Sequence, residues 1–384
     1  MRQFVAGISM CAVMAVGTVA QADITIGVNL GSTGPAASLG IAEKNAITLG
    51  PSVIAGQKVH YVIYDDATDT TNAVQNVKRL ITEAKADVLI GPTSSPTSKA
   101  VVDTVAESKT PMIQLSPNPG VSSDDPQRRW IFNAPPSEDV YAAALFRHFL
   151  KKGVKTVSVI MVDDAYGENC LAAYKRMADV KGIKTLTVEK YKRSDSSATA
   201  QVLKAMQGNP DAVYIAAAGT PGALPHVALI ERGYKGKIYQ SGGSANDAFL
   251  KVGGKALEGS YMLASPVLAA EQFPDGYPGK KEALEFVKQY EAKFGSRNFF
   301  GSLAWNALKI VEDAVPKALK KAKPGTEKFR AALRDAIEST KGLKVAGAVI
   351  TMTKADHTGI NELGMCMLRI ENGTWKLEDH AEFK

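Results

Sequence analysis

A run of hydroxyl side chains, residues 93–98 with one proline among them, follows directly after a short apolar stretch. The next segment, 99–107, repeats apolar residues at three- and four-residue steps, which predicts a helix. Strand, turn and helix N-terminus therefore meet at one point, where backbone N–H groups and the hydroxyls of Ser94 and Ser95 converge. This arrangement suits an anion, and a carboxylate in particular. The alternative is that Ser95 or Thr97 only caps the helix.

The residue types that most often carry catalysis are scattered along this chain. None of the five histidines, His60, His148, His226, His357 and His380, has a neighbouring cysteine or histidine at metal-ligand spacing. Nucleophile-elbow, zinc-protease and phosphate-loop motifs do not occur in the sequence. We therefore predict no catalytic residue, no metal site and no cofactor.

Short apolar strands alternate with helical patterns from Asp23 to about Tyr261, which predicts an α/β fold, and the length of the chain allows two domains. The proline-rich segment 134–137 separates two series of such units. The predicted strands span 24–29, 59–64, 87–90 and 112–115 in the first series and 157–161, 185–191, 212–216 and 238–240 in the second.

The C-terminal third departs from this alternation. Long amphipathic helices are predicted at 282–294, 302–322 and 326–340, and strands at 345–352, 365–370 and 375–377. If these helices return to the first unit and these strands to the second, the chain crosses three times between two lobes. Such crossings form a hinge.

The N-terminus carries an apolar run, residues 4–19, that ends in Ala20-Gln21-Ala22. The run is short for a membrane span, and its small terminal residues fit a secretory cleavage site. We predict that residues 1–22 are a signal peptide cleaved after Ala22, and that the mature protein is exported and not embedded in a membrane.

The charged residues form no basic block. The formal net charge is +7 and falls by one when the signal peptide is removed, and the lysines are scattered along amphipathic helices. Solvated surfaces explain this pattern, so we expect no nucleic-acid partner. Cys170 and Cys366 remain after cleavage. We predict two free, partly buried thiols, with a disulfide as the alternative in an oxidising compartment.

Seven short segments, in their order and spacing, resemble the periplasmic solute-binding proteins of the leucine/isoleucine/valine-binding type, which serve ATP-driven importers. The segments are Ile26-Gly27-Val28, Gly34 to Gly40, Tyr64-Asp65-Asp66, Ile90-Gly91-Pro92, Thr110 to Ile113, Asp164 to Glu168 and Arg232-Gly233-Tyr234. The resemblance covers nearly the whole mature chain. It implies the type I periplasmic binding fold, with two doubly wound α/β lobes joined by a three-crossing hinge. Lobe 1 would comprise residues 23–138 and 268–342, and lobe 2 residues 139–267 and 343–384.

The resemblance also implies a cleft in which the first lobe holds a carboxylate and the second lobe closes over it. If the strand that starts at Thr110-Pro111 is aligned with the family pattern without a gap, Ser116 and Asn118 match the residues that bind the carboxylate. If a gap is introduced, Asn118 and Gly120 match them instead. Tyr166 matches an aromatic side chain that covers the ligand, and ordinary packing at a helix start is the alternative. The predicted ligand-binding residues are Leu39, Ser94, Ser95, Ser116, Asn118, Tyr166, Thr220 and Gly242.

One position departs from the family pattern and concerns the class of ligand. Amino-acid binders of this type place an acid where this chain has Gly242, and that acid neutralises the ammonium of the ligand. Without it a buried ammonium is costly, so we expect an aromatic carboxylate or a 2-keto acid, with Tyr166, Phe300 and Trp305 around its apolar group. Asp247 is the alternative partner for an ammonium, and it would restore an amino-acid site.

The function that the resemblance implies is ligand capture for an ABC importer in the periplasm, as a monomer that works with permease and ATPase subunits. Binding of a branched-chain or other hydrophobic amino acid is one alternative, and a sensor protein that signals to a membrane receptor is another. An exported hydrolase is disfavoured, because no histidine is placed to activate Ser95.

Overall fold

The computed structural model describes residues 23–383, so the predicted signal peptide lies outside the described residues. The described chain forms fifteen strands and twelve α-helices. The strands are β1 (Ile24–Leu30), β2 (Val53–Ile54), β3 (Gln57–Asp65), β4 (Val88–Ile90), β5 (Met112–Gln114), β6 (Ile131–Asn133), β7 (Thr156–Val162), β8 (Lys184–Tyr191), β9 (Ala212–Ala216), β10 (Lys237–Gln240), β11 (Tyr261–Ala264), β12 (Leu343–Val345), β13 (Ala348–Ile350), β14 (Cys366–Glu371) and β15 (Thr374–His380). The helices are α1 (Ala37–Ile47), α2 (Thr70–Thr82), α3 (Ser95–Ala100), α4 (Val102–Ser108), α5 (Glu138–Lys151), α6 (Ala165–Lys181), α7 (Thr199–Ala205), α8 (Ala223–Glu231), α9 (Asp247–Gly253), α10 (Lys280–Phe294), α11 (Phe299–Leu319) and α12 (Glu327–Glu338).

The first lobe is built on a six-stranded sheet with the order β2-β3-β1-β4-β5-β6. Every pairing from β3 to β6 is parallel, and β2 joins the edge as an antiparallel hairpin with β3. The central strands are runs of buried apolar residues, as parallel strands are when helices cover both faces of the sheet.

The second lobe is built on a seven-stranded sheet with the order β15-β14-β11-β10-β9-β7-β8. The strands from β11 to β8 pair in parallel, whereas β14 and β15 add an antiparallel edge from the C-terminus. Both sheets thus have a parallel centre, with a short antiparallel edge supplied by a hairpin.

The chain passes between the two lobes three times. It leaves the first sheet after β6 and enters α5, which packs on α6, and it leaves the second sheet after β11. Helices α10 to α12 then return to the first lobe, where α11 packs against α1, and β14 finally rejoins the second sheet. The predicted architecture, two α/β lobes with mostly parallel sheets and three crossings, is confirmed. The residue boundaries of the lobes stay predictions.

One segment predicted as a single strand is a hairpin in the structure. The segment 345–352 was predicted as a single strand, but β12 and β13 form a separate two-stranded hairpin there. Gly347, with φ of 77°, lies in the turn between them, and the left-handed conformation that glycine permits reverses the chain. Strands β2, β6 and β11 are not among the predicted strands.

The two cysteines of the described chain, Cys170 in α6 and Cys366 in β14, are free, as predicted. Both are buried, with exposed fractions of 2% and 0%. Across residues 23–383, no helix is both long enough and apolar enough to cross a membrane.

Candidate functional site

A cavity lies between the two lobes, where the carboxyl ends of both parallel sheets face each other. Ser95 and Leu115 follow strands β4 and β5 of the first lobe, and Tyr166, Arg193 and Gly242 follow strands β7, β8 and β10 of the second. Ligands of open α/β sheets bind at this edge, because the loops after the strands converge there. We call it the central cavity.

The central cavity encloses about 460 Å³ of space between its atoms. The residues that line the central cavity are Ala36, Leu39, Thr93, Ser94, Ser95, Leu115, Ser116, Pro117, Pro135, Tyr141, Tyr166, Arg193, Ala218, Gly242, Gly243, Phe299, Phe300 and Leu303.

The two lobes touch beside the central cavity. A Cβ atom at Gly219, in the second lobe, would lie 3.3 Å from Ser38 Oγ and 3.4 Å from Leu39 Cδ1 of the first lobe. Glycine at this position therefore permits a close approach of the lobes.

Ser94 and Ser95 have different surroundings at the start of α3. Ser94 is the N-cap: its Oγ accepts a hydrogen bond from Thr97 N at 3.4 Å and lies 2.8 Å from Thr97 Oγ1. Ser95 Oγ is buried and has no hydrogen-bond partner within residues 23–383. The capping role that the sequence left open for Ser95 or Thr97 thus belongs to Ser94. Ser95 keeps a free hydroxyl among the residues that line the cavity.

Ser116 supplies a second hydroxyl on the first-lobe side. Its Oγ lies 2.7 Å from Ser98 Oγ, which also donates to the carbonyl oxygen of Pro92 at 3.3 Å. With the Ser98 proton used in that bond, Ser116 donates its own proton to Ser98. Its remaining lone pairs and its backbone are left for other partners.

Thr93 connects the central cavity to buried carboxyl groups behind it. Its Oγ1 accepts a hydrogen bond from Gly31 N at 3.0 Å and is hydrogen-bonded to Glu43 Oε2. Burial raises the pKa of Glu43 to about 8 and that of Asp66 to about 6, and the charge of Asp66 adds to the shift of Glu43. Glu43 is therefore largely protonated at neutral pH.

Tyr166 lies at the start of α6 and borders the central cavity. Asp164 caps this helix by accepting hydrogen bonds from Tyr166 N at 2.9 Å and Gly167 N at 3.3 Å. The phenol oxygen of Tyr166 accepts a hydrogen bond from Gly243 N at 2.9 Å, so the backbone of the second lobe fixes the ring. A Cβ atom at Gly243 would lie 2.6 Å from this oxygen, which makes glycine necessary there.

Tyr141 occupies the space beside Gly242. A Cβ atom at Gly242 would lie 2.5 Å from Tyr141 Cε1, and Tyr141 also lines the cavity. An acidic side chain at position 242 is therefore excluded sterically as long as Tyr141 is in place. Sequence reasoning found the missing acid but not the ring beside it, because Tyr141 comes from α5, about a hundred residues earlier.

Arg193 is the single cationic residue among the described residues that line the central cavity. Its Nε donates to Asp164 Oδ2 at 2.6 Å and its Nη1 to the carbonyl oxygen of Ala218 at 3.1 Å. Its Nη2 makes no hydrogen bond to the described residues. Sequence reasoning missed Arg193, although its place two residues after β8 would have indicated it.

Several predicted residues lie elsewhere. Asn118 and Gly120 line a neighbouring cleft near the chain crossings, and Thr220 lines a third cleft on the second lobe. Asp247 lies at a fourth cleft. Trp305 packs against Phe286 with ring centroids 5.8 Å apart, while Phe299, Phe300 and Leu303 line the central cavity instead. The structure thus brings together Leu39, Ser94, Ser95, Ser116, Tyr166 and Gly242, and places Asn118 and Thr220 apart from them.

The described residues offer little for metal chemistry. No group of three or more His, Cys, Asp or Glu side chains within residues 23–383 is arranged to hold a metal ion. The central cavity itself combines hydroxyls, one guanidinium and aromatic rings, an arrangement that can bind an organic anion.

Comparison with known proteins agrees with this fold. The family model described as "Periplasmic binding protein" matches residues 23–374. An extracellular ligand-binding receptor from Rhodopseudomonas palustris HaA2 is 40% identical, with a TM-score of 0.89 over 93% of this chain and 100% of that one. A Leu/Ile/Val-binding protein of Rhizobium johnstonii is 25% identical over 83% of this chain and 91% of its own length.

A more distant solved structure shares the fold. It is a solute binding protein of an ABC transporter from R. palustris in complex with benzoate, 19% identical, with a TM-score of 0.78 over 94% of this chain and 96% of that one. The family match, the two lobes and the cavity between them lead to one conclusion. The chain belongs to the periplasmic binding protein family and is a type I member of the branched-chain amino acid type.

Proposed function

We propose that this protein is the substrate-binding component of an ABC importer and captures, in the periplasm, a small organic acid that carries no ammonium group. An aromatic carboxylate or a 2-keto acid is the favoured class. The observation that carries the proposal is the set of polar groups around the central cavity: hydroxyls and one guanidinium, with no carboxyl group among the described residues that line it.

The carboxylate of the ligand would bind between the two lobes. Ser95 Oγ is a buried donor without a partner among the described residues, and a carboxylate oxygen would satisfy it. Arg193 would add a charge-assisted hydrogen bond through Nη2, since Asp164 and Ala218 engage its other nitrogens. A ligand held by Ser95 from one lobe and Arg193 from the other would stabilise the closed form.

No carboxylate among the described residues that line this cavity could neutralise an ammonium group. Gly242 stands where the family's acid would be, and Tyr141 fills the space that such a side chain would need. Burying an ammonium without an anionic partner costs roughly several kcal/mol, which is a large share of the roughly −8 kcal/mol that corresponds to micromolar affinity. This argument disfavours leucine-type ligands, although the Rhizobium relative is named for them.

The remaining surface of the cavity suits a flat apolar group. Tyr166, Tyr141, Phe300 and Leu39 surround the space, and the backbone fixes the ring of Tyr166. Aromatic rings pack favourably against one another in offset-stacked or edge-to-face arrangements. The benzoate complex of the distant R. palustris relative supports the same class of ligand, at the level of a shared fold.

Matched ligand pairs test the proposal directly. Phenylpyruvate and phenylalanine, or 4-methyl-2-oxopentanoate and leucine, differ only in the keto or ammonium group beside the carboxylate. We expect a thermal-shift and calorimetry screen of the mature protein to show stabilisation by benzoate or by one of these keto acids. The amino acid of the same pair should give no stabilisation. Tighter binding of leucine or phenylalanine than of the keto acids would refute the proposed ligand class.

Variants at the position of the missing acid provide the complementary test. Gly242→Asp alone is expected to perturb the second lobe, because its side chain meets Tyr141. The double variant Tyr141→Ala with Gly242→Asp removes that clash and supplies a carboxylate. We expect it to lose affinity for the keto acid and to gain affinity for the amino acid of the same pair. Tyr141→Ala alone is the control, and it should bind neither amino acid.

A further inference from the structure

A buried carboxylic acid, Glu43, stands behind the central cavity and has no role in the binding described so far. It lies on α1 with an exposed fraction of 0%, and its Oε1 has no hydrogen-bond partner within residues 23–383. Its other oxygen, Oε2, is hydrogen-bonded to the hydroxyl of Thr93, a residue that lines the cavity. Glu43 is thus connected to the ligand site through one side chain.

The hydroxyl of Thr93 has one proton and two lone pairs to distribute. Gly31 N donates to it at 3.0 Å and takes one lone pair. If Glu43 is neutral, its O–H donates to the second lone pair, and the Thr93 proton is free to point into the cavity. If Glu43 is ionised, it accepts that proton, and Thr93 presents only a lone pair to the cavity. The protonation of Glu43 therefore decides whether Thr93 can donate to a ligand.

The surroundings of Glu43 favour its neutral form. Asp66, which accepts hydrogen bonds from Asn29 Nδ2 at 2.9 Å and Thr68 N at 2.8 Å, is the charged group that acts on Glu43 from the end of β3. From α10, Tyr290 donates to the carbonyl oxygen of Ala42 at 3.4 Å. No cation is found to act on Glu43 within residues 23–383, so the neighbouring negative charge opposes its ionisation.

We propose that Glu43 is a positioning residue for ligand binding: in its protonated form it directs the Thr93 hydroxyl proton toward the carboxylate of the ligand. The inference rests on the proposed function, because a carboxylate offers only acceptors. Binding then requires Glu43 to keep its proton, and affinity falls when that proton is lost. A ligand without an acceptor atom beside Thr93 gains nothing from this arrangement.

The pH dependence of affinity in matched variants tests the role of Glu43. With phenylpyruvate as the probe, calorimetry from pH 6 to pH 9.5 should show the wild-type affinity falling by up to about tenfold per pH unit once Glu43 ionises, near pH 8. Glu43→Gln places a permanent N–H donor against Thr93, so its affinity should stay nearly constant over this range. Thr93→Val should bind weakly at every pH, and Thr93→Ser should restore the wild-type profile. Parallel profiles of wild type and Glu43→Gln would overturn the proposal.

A measurement without ligand separates this inference from the proposed function. Infrared difference spectra between wild type and Glu43→Gln at pH 7 should contain the C=O stretch of a protonated carboxylic acid. If that band is absent, Glu43 is ionised and the positioning role fails, whatever the protein binds. If the band is present but neither phenylpyruvate nor benzoate binds at pH 6, the proposed ligand class fails and the positioning role toward a carboxylate is withdrawn with it.

Discussion

Two neighbouring serines illustrate how residues of one type divide structural and binding roles. Ser94 uses its hydroxyl to cap α3, whereas the buried hydroxyl of Ser95 has no partner among the described residues. A buried polar group without a partner costs free energy, and such groups in native proteins call for an explanation. A ligand oxygen is the explanation that the position of Ser95 in the central cavity supports.

The pair Ser94→Ala and Ser95→Ala separates these roles. We expect Ser94→Ala to lower the free energy of unfolding by about 1 kcal/mol, because it removes a cap. Ser95→Ala removes an unsatisfied hydroxyl and should leave the stability of the ligand-free protein unchanged or slightly raised, but weaken ligand binding by roughly tenfold. Urea unfolding and calorimetry measure the two effects. Equal stability losses with unchanged affinity would contradict the assignment.

Glu43 also makes a prediction for stability without ligand. Burial raises its pKa from 4.5 to about 8, so between these pH values the native state keeps a proton that the unfolded chain has lost. Its contribution to stability is complete below about pH 4.5 and declines as the pH rises toward 8, by up to about 1.4 kcal/mol per pH unit. The Glu43→Gln variant lacks this pH-dependent contribution to stability. We expect the difference in unfolding free energy, wild type minus variant, to fall between pH 5 and pH 8, and a constant difference would show that Glu43 titrates normally.

At the scale of elements, helix α6 and the loop after β8 are joined at the central cavity. Asp164 caps α6 through Tyr166 N and Gly167 N, and the same carboxylate accepts a hydrogen bond from Arg193 Nε at 2.6 Å. One acid therefore positions an aromatic ring and a guanidinium, the two second-lobe groups that we assign to the ligand.

Variants of Asp164 should show this double role. Asp164→Ala removes the cap and the ion pair, so we expect a loss of stability of about 1–2 kcal/mol and a clear loss of affinity. Asp164→Asn retains an acceptor for the cap and should lose more affinity than stability. Thr326→Ala removes the comparable cap of α12, where Thr326 Oγ1 accepts from Phe329 N at 3.1 Å. This control should lower stability without changing affinity, and if Asp164→Ala behaves in the same way, Asp164 is only a cap.

For the whole molecule, the proposed function depends on how closely the two lobes approach each other. They meet at Gly219, whose φ of 73° and ψ of −161° are accessible to glycine and strained for other residues. Hinge closure around a ligand is a common response of two-lobed proteins, and it would present a changed surface to the permease that we propose as partner.

Gly219→Ala should hinder closure, because its Cβ would press against Ser38 and Leu39 across the lobes. Gly254→Ala is the control, since Gly254 has a similarly strained backbone, φ 50° and ψ −135°, and nothing within 4 Å of the added Cβ. We expect both variants to lose comparable stability and Gly219→Ala alone to lose affinity. Small-angle scattering should show less compaction of Gly219→Ala than of wild type on addition of ligand, and identical compaction of the two would contradict this account.

Local sequence patterns predicted the two α/β series, most of their strands and helices, and the hydroxyl turn at Ser94 and Ser95. These features depend on periodicity and turn residues within short segments, where local sequence governs local structure. The resemblance to solute-binding proteins depends on the same local landmarks, in order and spacing, and the family match confirms it.

The set of side chains that share the central cavity follows from the three-dimensional packing of distant elements. Tyr141 and Phe299 come from elements far apart in the chain and reach one space because two sheets face each other across a hinge. Asn118, Thr220 and Trp305 stand near the right landmarks, yet the course of their loops and helix places them elsewhere. The direction of a side chain depends on packing between elements, and no local pattern in the sequence encodes that packing.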